Sequence, residues 1–206
     1  MAQILIPDTN IFSPTKEDFT EAARYLGYRK ISAPDEMIQK LIEECCHELF
    51  NILSPQAVIE SFDLSLSQNN QICFGDVILN SVDLSRNLNG CSKVYIFAAT
   101  IGPKVDACIR KSTAIDTVKA AVLQSCGAMF IEKVVDYINE EIKKEAAASG
   151  LKTKPRYSPG YGDVPLLIQK EFFRLLPCTR IGLTLMDTLI MSPEKSVTAF
   201  VGAGNF

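Results

Sequence analysis

Tryptophan is absent from this chain of 206 residues, and histidine occurs once, at His47. A single histidine excludes every metal site that takes two histidines from the same chain. No CxxC pair occurs, although seven cysteines stand at positions 45, 46, 73, 91, 108, 126 and 178. An odd set at irregular spacing in a long chain points to reduced thiols in the cytoplasm rather than to a disulfide framework. A basic excess is also lacking: 21 Lys and Arg stand against 24 Asp and Glu, a net charge of −3. That balance gives no footing for a nucleic-acid groove or an anionic membrane surface. No run approaches the roughly 18 uninterrupted apolar residues of a membrane span. The start, with Ile4-Leu5-Ile6 as its apolar patch, lacks the positive and hydrophobic regions of a secretion signal. Neither GxGxxG nor GxxxxGKS/T appears, so the two common phosphate-binding loops are missing.

What remains is ordinary globular material. Apolar residues make up 47% and charged residues 22%. A chain of this size buries roughly 70% of its unfolded surface and needs no covalent staple. We expect a single domain over residues 1–206 with a helical N-terminal part of about 1–55. Phe19, Ala22, Ala23 and Leu26 recur at helical spacing, which predicts a helix over 16–28 stopped by Gly27. Pro34 and Asp35 open a second helix to Leu53, with Met37, Ile38, Leu41, Ile42, Cys45, Leu49 and Leu53 on one face. Strands are expected over 57–66, over 72–79 with a break at Gly75-Asp76, and over 94–99. The last is a continuous apolar run that suits a strand buried on both faces. Thr100 to Pro103 reads as a turn, and a helix is expected from Val105. A long helix is expected over 115–148, with Ile115, Val118, Val122, Cys126 and Met129 on one stripe. Leu166 to Leu176 resumes helical spacing, and Ser196 to Gly202 reads as a closing strand.

Four segments invite chemistry. Cys45-Cys46-His47 offers soft ligands or a nucleophile, but adjacent helical residues point in different directions and no second cluster stands at zinc spacing, so buried structural thiols are the better reading. Thr100-Ile101-Gly102-Pro103 joins a strand to a helix, either as an anion-facing turn or as plain structure. Ala121, Ser125, Ala128 and Glu132 form one strip of small side chains ending in a carboxylate, suited to helix packing or to facing a cation. The fourth is the loop Thr153 to Pro165, with three prolines and two glycines in thirteen residues. Its prolines stiffen the backbone, and Gly160 and Gly162 allow close approach or positive φ. Arg156 can fork onto a carboxylate, and Tyr161 supplies a ring face. Rigid backbone, an anion binder and an aromatic plate describe a small-molecule site; the alternative is a purely structural Pro/Gly turn, which would need less.

That loop resembles the RxxxGY motif, often RxxPGY, of the S-adenosylmethionine (AdoMet) binding reactivation domain of cobalamin-dependent methionine synthase. Arg156, Pro159, Gly160, Tyr161 and Pro165 match it, and Lys170 falls on a recurring lysine. Met191-x-Pro193-x-x-Ser196-Val197 resembles the MxPxxSV element of the same family. Glu132 with Asp136-Tyr137-Ile138 resembles the family helix whose Glu faces the ligand. Arg24 to Arg29 and Ala99 to Asp106 are similar to short stand-alone relatives.

The resemblance implies an α+β fold, a twisted and mainly antiparallel sheet with packed helices. It implies AdoMet in a groove between the long helix and the loop, contacted by Glu132, Arg156, Ser158, Gly160 and Tyr161. Arg156 would take the carboxylate, Glu132 the ammonium or sulfonium, and Tyr161 the adenosine or sulfonium. Backbone around Ser158 and Gly160 would bond the adenine edge. The implied role is to support reductive methylation of cobalamin, as one component of a methyltransferase system in methionine biosynthesis. The chain lacks the cobalamin motif DxHxxG, so cobalamin is expected on a partner methyltransferase or corrinoid protein, with a flavodoxin or ferredoxin as electron donor. The chain also ends sooner than the methionine synthase domain. The alternative is a corrinoid-protein docking module without AdoMet binding; a thiol or metal enzyme is a third possibility.

Overall fold

The computed structural model describes residues 2–29 and 32–206; Met1, Lys30 and Ile31 of the expected N-terminal part lie outside it. The elements follow from local signals. A short strand β1 (Gln3–Leu5) precedes helix α1 (Lys16–Tyr25). Thr15 and Asp18 close a reciprocal capping box at the start of α1, and Gly27 at φ +97° turns the chain away after its end. Helix α2 (Glu36–Phe50) starts where Asp35 accepts the Ile38 amide at 2.8 Å. The long strand β2 (Gln56–Leu66) follows.

The segment 72–79 is not one interrupted strand. It is a hairpin of β3 (Gln71–Phe74) and β4 (Val77–Asn80), because Gly75 adopts φ +55° and reverses the chain. Next come the short helix α3 (Val82–Asn87), strand β5 (Cys91–Thr100) and helix α4 (Pro103–Thr113). Helix α5 (Thr117–Ala148) begins two residues later than the expected 115, since Asp116 caps it by accepting the Lys119 amide. Ile115 and Val118 consequently stand exposed, and the buried stripe of α5 starts only at Ala120 and Val122. After β6 (Lys152–Thr153) comes the Pro/Gly loop, then helix α6 (Gln169–Leu175), the small hairpin of β7 (Thr184–Leu185) and β8 (Met191–Ser192), and the last strand β9 (Ser196–Gly204).

The architecture is α+β, with every strand pairing among the described residues antiparallel. The main sheet runs β4-β3-β2-β5-β9-β6. β2 spans two neighbours on one side: its first half pairs with β1 and its second half with β3. Central β5 lies between β2 and β9. Its side chains alternate between two cores, which explains the unbroken apolar run. Tyr95, Phe97 and Ala99 face the helical layer of α1, α2, α4 and α5. Val94, Ile96 and Ala98 face the opposite core, built from the β3-β4 hairpin, α3 and α6. Phe200 of β9 anchors that second core, its ring 4.8 Å from Phe172 and 5.7 Å from Phe74. No helix among the described residues is long and apolar enough to cross a membrane.

Candidate functional site

The Pro/Gly loop leaves β6 alongside β9 and is fastened at five places. Lys154 donates its amide to Gly202 at 2.8 Å, and Tyr157 and Phe200 exchange two backbone hydrogen bonds at 2.9 and 2.8 Å. Asn87 of α3 donates to the Pro155 carbonyl at 3.2 Å. Further on, the Asp163 carboxylate accepts the Ser81 hydroxyl and the amides of Val82 and Asp83 at the start of α3. These donors hold the Asp163 carboxyl below its ordinary pKa, the Ser81 hydroxyl foremost. The loop therefore belongs to the sheet edge and to α3.

The fifth fastening carries the charge. On α5, Glu132 and Asp136 lie four residues apart and so share a face. Arg156 reaches between them. Its Nη2 donates to Glu132 Oε2 at 2.5 Å and its Nη1 to Asp136 Oδ1 at 2.6 Å. The three groups sum to one net negative charge. They also differ in exposure: the Arg156 side chain is 28% exposed, Glu132 38% and Asp136 70%.

Beside this fork opens a cleft of about 480 Å³. Glu132 of α5 and Arg156, Ser158 and Tyr161 of the loop stand on its wall. Gln169 at the start of α6, Met191 of β8 and Ser196 to Thr198 of β9 complete it. The structure thus gathers four of the five residues picked out by sequence around one space. Gly160 is different. It sits at φ +86°, and its amide is spent on the Val164 carbonyl at 3.0 Å. It shapes the turn that presents Tyr161, and its N–H is not available to an adenine edge. Tyr161 carries a ring that is 70% exposed.

The small-residue strip of α5 contributes Glu132 alone to this cleft. Ser125 is buried and returns its hydroxyl to the Val122 carbonyl, while Ala121 is exposed on another side. Gly127, on the adjacent face, makes room for the Lys195 side chain, whose Nζ donates to the Gln124 carbonyl at 3.2 Å. Asp106 of α4 accepts the Glu194 and Lys195 amides. The turn before β9 is so pinned to α4 and α5, which places Ser196 to Thr198 on the cleft wall.

Sequence reasoning assigned no role to Asp136, Gln169 or Thr198. Asp136 was within reach of the i, i+4 rule from Glu132; the other two carry no local signal. The remaining candidates do not assemble into sites. Cys45 and Cys46 are fully buried in the helical core, and burial pushes the Cys45 thiol up to about 12, opposite to a reactive thiolate. Gly102 simply caps α4 at φ +94°, close against Ser54.

No protein-family profile matches the chain, and neither does any curated protein sequence. Among solved structures, the chain is similar to the crystal structure of the MetH reactivation domain bound to AdoHcy. The TM-score is 0.67 at 15% identity, covering 98% of this chain and 78% of that one. At that identity the likeness establishes a shared fold.

Proposed function

We propose that the cleft binds AdoMet and that the chain acts as a reactivation component of a cobalamin-dependent methyltransferase, methionine synthase foremost. The observation that carries this reading is the Arg156 fork between Glu132 and Asp136 on the wall of a cleft of about 480 Å³. That volume is in the range of small-molecule sites. The paired signs suit an amino-acid end: Arg156 takes a carboxylate bidentately, and Glu132 takes the ammonium or sulfonium. Making room for a carboxylate costs little, because the Arg156–Asp136 pair is exposed and such pairs contribute only ~0–1 kcal/mol. The net negative charge of the trio complements AdoMet, whose ammonium and sulfonium outweigh its carboxylate by one. The open ring of Tyr161 offers a face to the sulfonium or the sugar-base end. The fold neighbour holds AdoHcy, the demethylated form of the same ligand.

In this role AdoMet supplies a methyl cation and leaves as AdoHcy, one electron comes from a donor such as a flavodoxin or ferredoxin, and cobalamin is held by the partner. The chain's own contribution is position and electrostatics. The test is reductive reactivation of an oxidised partner methyltransferase with AdoMet and reductant. Arg156→Ala and Tyr161→Ala are each expected to slow it by about tenfold or more. Unchanged reactivation in both variants overturns the proposal. A docking module without AdoMet is a second reading, favoured by the exposed Tyr161 ring on the cleft wall. It predicts association with the corrinoid partner and no AdoMet titration.

A further inference from the structure

Among the described residues, four buried side-chain atoms lack a hydrogen-bond partner: Asn87 Oδ1, Asn139 Oδ1, Gln169 Oε1 and Thr198 Oγ1. Two of the four belong to residues lining the same cleft, although they come from α6 and β9. Gln169 is 6% exposed and Thr198 2%. Folding rarely leaves such atoms unpaired, because a buried acceptor without a donor forfeits its water and gains nothing. Their convergence on a cleft points to a ligand that supplies the missing partners.

The chemistry of the pair restricts the partner. The charged residues on the cleft wall are Glu132 and Arg156, which suit the charged end of a ligand. Gln169 and Thr198 are neutral, so they suit a neutral polar group. A carboxamide offers an acceptor and a donor in one plane, and adenine presents its 6-amino donor beside a ring-nitrogen acceptor. Glutamine and adenine therefore pair edge to edge. Tyr157, Pro159, Met191 and Val197 supply apolar wall in the same cleft. The loop backbone offers less, since the Gly160 amide is already bonded to Val164.

We infer that Gln169 and Thr198 form a base-reading subsite, in which Gln169 Oε1 accepts from the 6-amino group of adenine and the Thr198 hydroxyl serves a ring nitrogen. This rests on the AdoMet reading above. It makes Gln169 a specificity residue outside the RxxxGY and MxPxxSV motifs.

The test is calorimetric titration of the full chain with AdoMet and with its analogue lacking the 6-amino group. The wild type is expected to prefer AdoMet by roughly tenfold or more. Gln169→Leu, checked for folding by its melting curve, is expected to bind the two ligands alike, and Thr198→Val to weaken AdoMet several-fold. A wild type that binds both ligands equally overturns the inference, whatever the variants do. So does a Gln169→Leu protein that keeps the preference. Either result leaves the AdoMet reading standing. A wild type that binds neither ligand overturns both.

Discussion

Arg156 is the residue on which the site turns, because it holds two carboxylates of α5 in one grip. Glu132 and Asp136 differ in what they lose when Arg156 turns to a ligand. Asp136 is mostly in water already, so its pair is the one to yield. Glu132, less exposed, keeps its charge facing the cleft. Replacing it with Gln removes a group whose attraction depends on ligand charge. Glu132→Gln is expected to weaken AdoMet more than AdoHcy, narrowing the preference by roughly fivefold, or ~1 kcal/mol, in paired titrations. Equal losses for both ligands would mean that Glu132 faces the ammonium, which AdoHcy keeps, and not the sulfonium. Arg156 and Glu132 were legible from the RxxxGY spacing and from the position of Glu132 on its helix. Gln169 and Thr198 were not, because nothing local distinguishes a glutamine at a helix start or a threonine in a buried strand. Their meaning comes only from the tertiary convergence of α6 and β9.

At the scale of elements, the Pro/Gly loop is positioned by its fastenings more than by its own stiffness. Asp163 is the clearest of these, a carboxylate whose pKa is lowered from about 3.8 by the donors it accepts at α3. A group whose pKa is depressed on folding contributes stability that is present above its unfolded value and lost as pH falls through the folded one. The loop's attachment to α3 is therefore expected to hold at neutral pH and to weaken below about pH 3.8. In Asp163→Asn the melting temperature at neutral pH should fall, and the part of the acid dependence due to this group should vanish. An acid limb identical to the wild type would contradict the linkage. Gly162 lies beside it at φ +53°, where an added Cβ would collide with the Tyr157 hydroxyl and the Asp83 carboxylate. Gly162→Ala is expected to destabilise the protein by about 1–2 kcal/mol in denaturant unfolding, the cost of a left-handed conformation for a residue with a Cβ.

The elements were unevenly legible. α1, α2 and α5 announced themselves through spacing, the first two also through an end signal at Gly27 and a start signal at Asp35, and β5 through its apolar run. The β3-β4 hairpin was merged because its turn is two residues long and its strands have four residues each. α3, β1 and the β7-β8 hairpin are too short for periodicity to register. They are held by neighbours, as α3 is by Asp163.

For the whole molecule, the cleft lies where three layers meet: the helical face through α5, the sheet through β9, and the opposite core through α6. Phe200 ties them together, with its ring between Phe172 and Phe74 and its backbone bonded to Tyr157 of the loop. Phe200→Ala is expected to cost about 3–5 kcal/mol of stability in denaturant unfolding. It should also weaken ligand binding, although the side chain does not line the cleft. A variant that loses stability but binds as tightly as the wild type would show that the cleft does not depend on that core. The measurement that bears most directly on function is calorimetric titration of the purified chain with AdoMet, repeated on Arg156→Ala. Saturable binding by the wild type, weakened roughly 10- to 100-fold in the variant, is the expected result. Absence of binding in the wild type, or undiminished binding in Arg156→Ala, would contradict the assignment of this cleft as an AdoMet site.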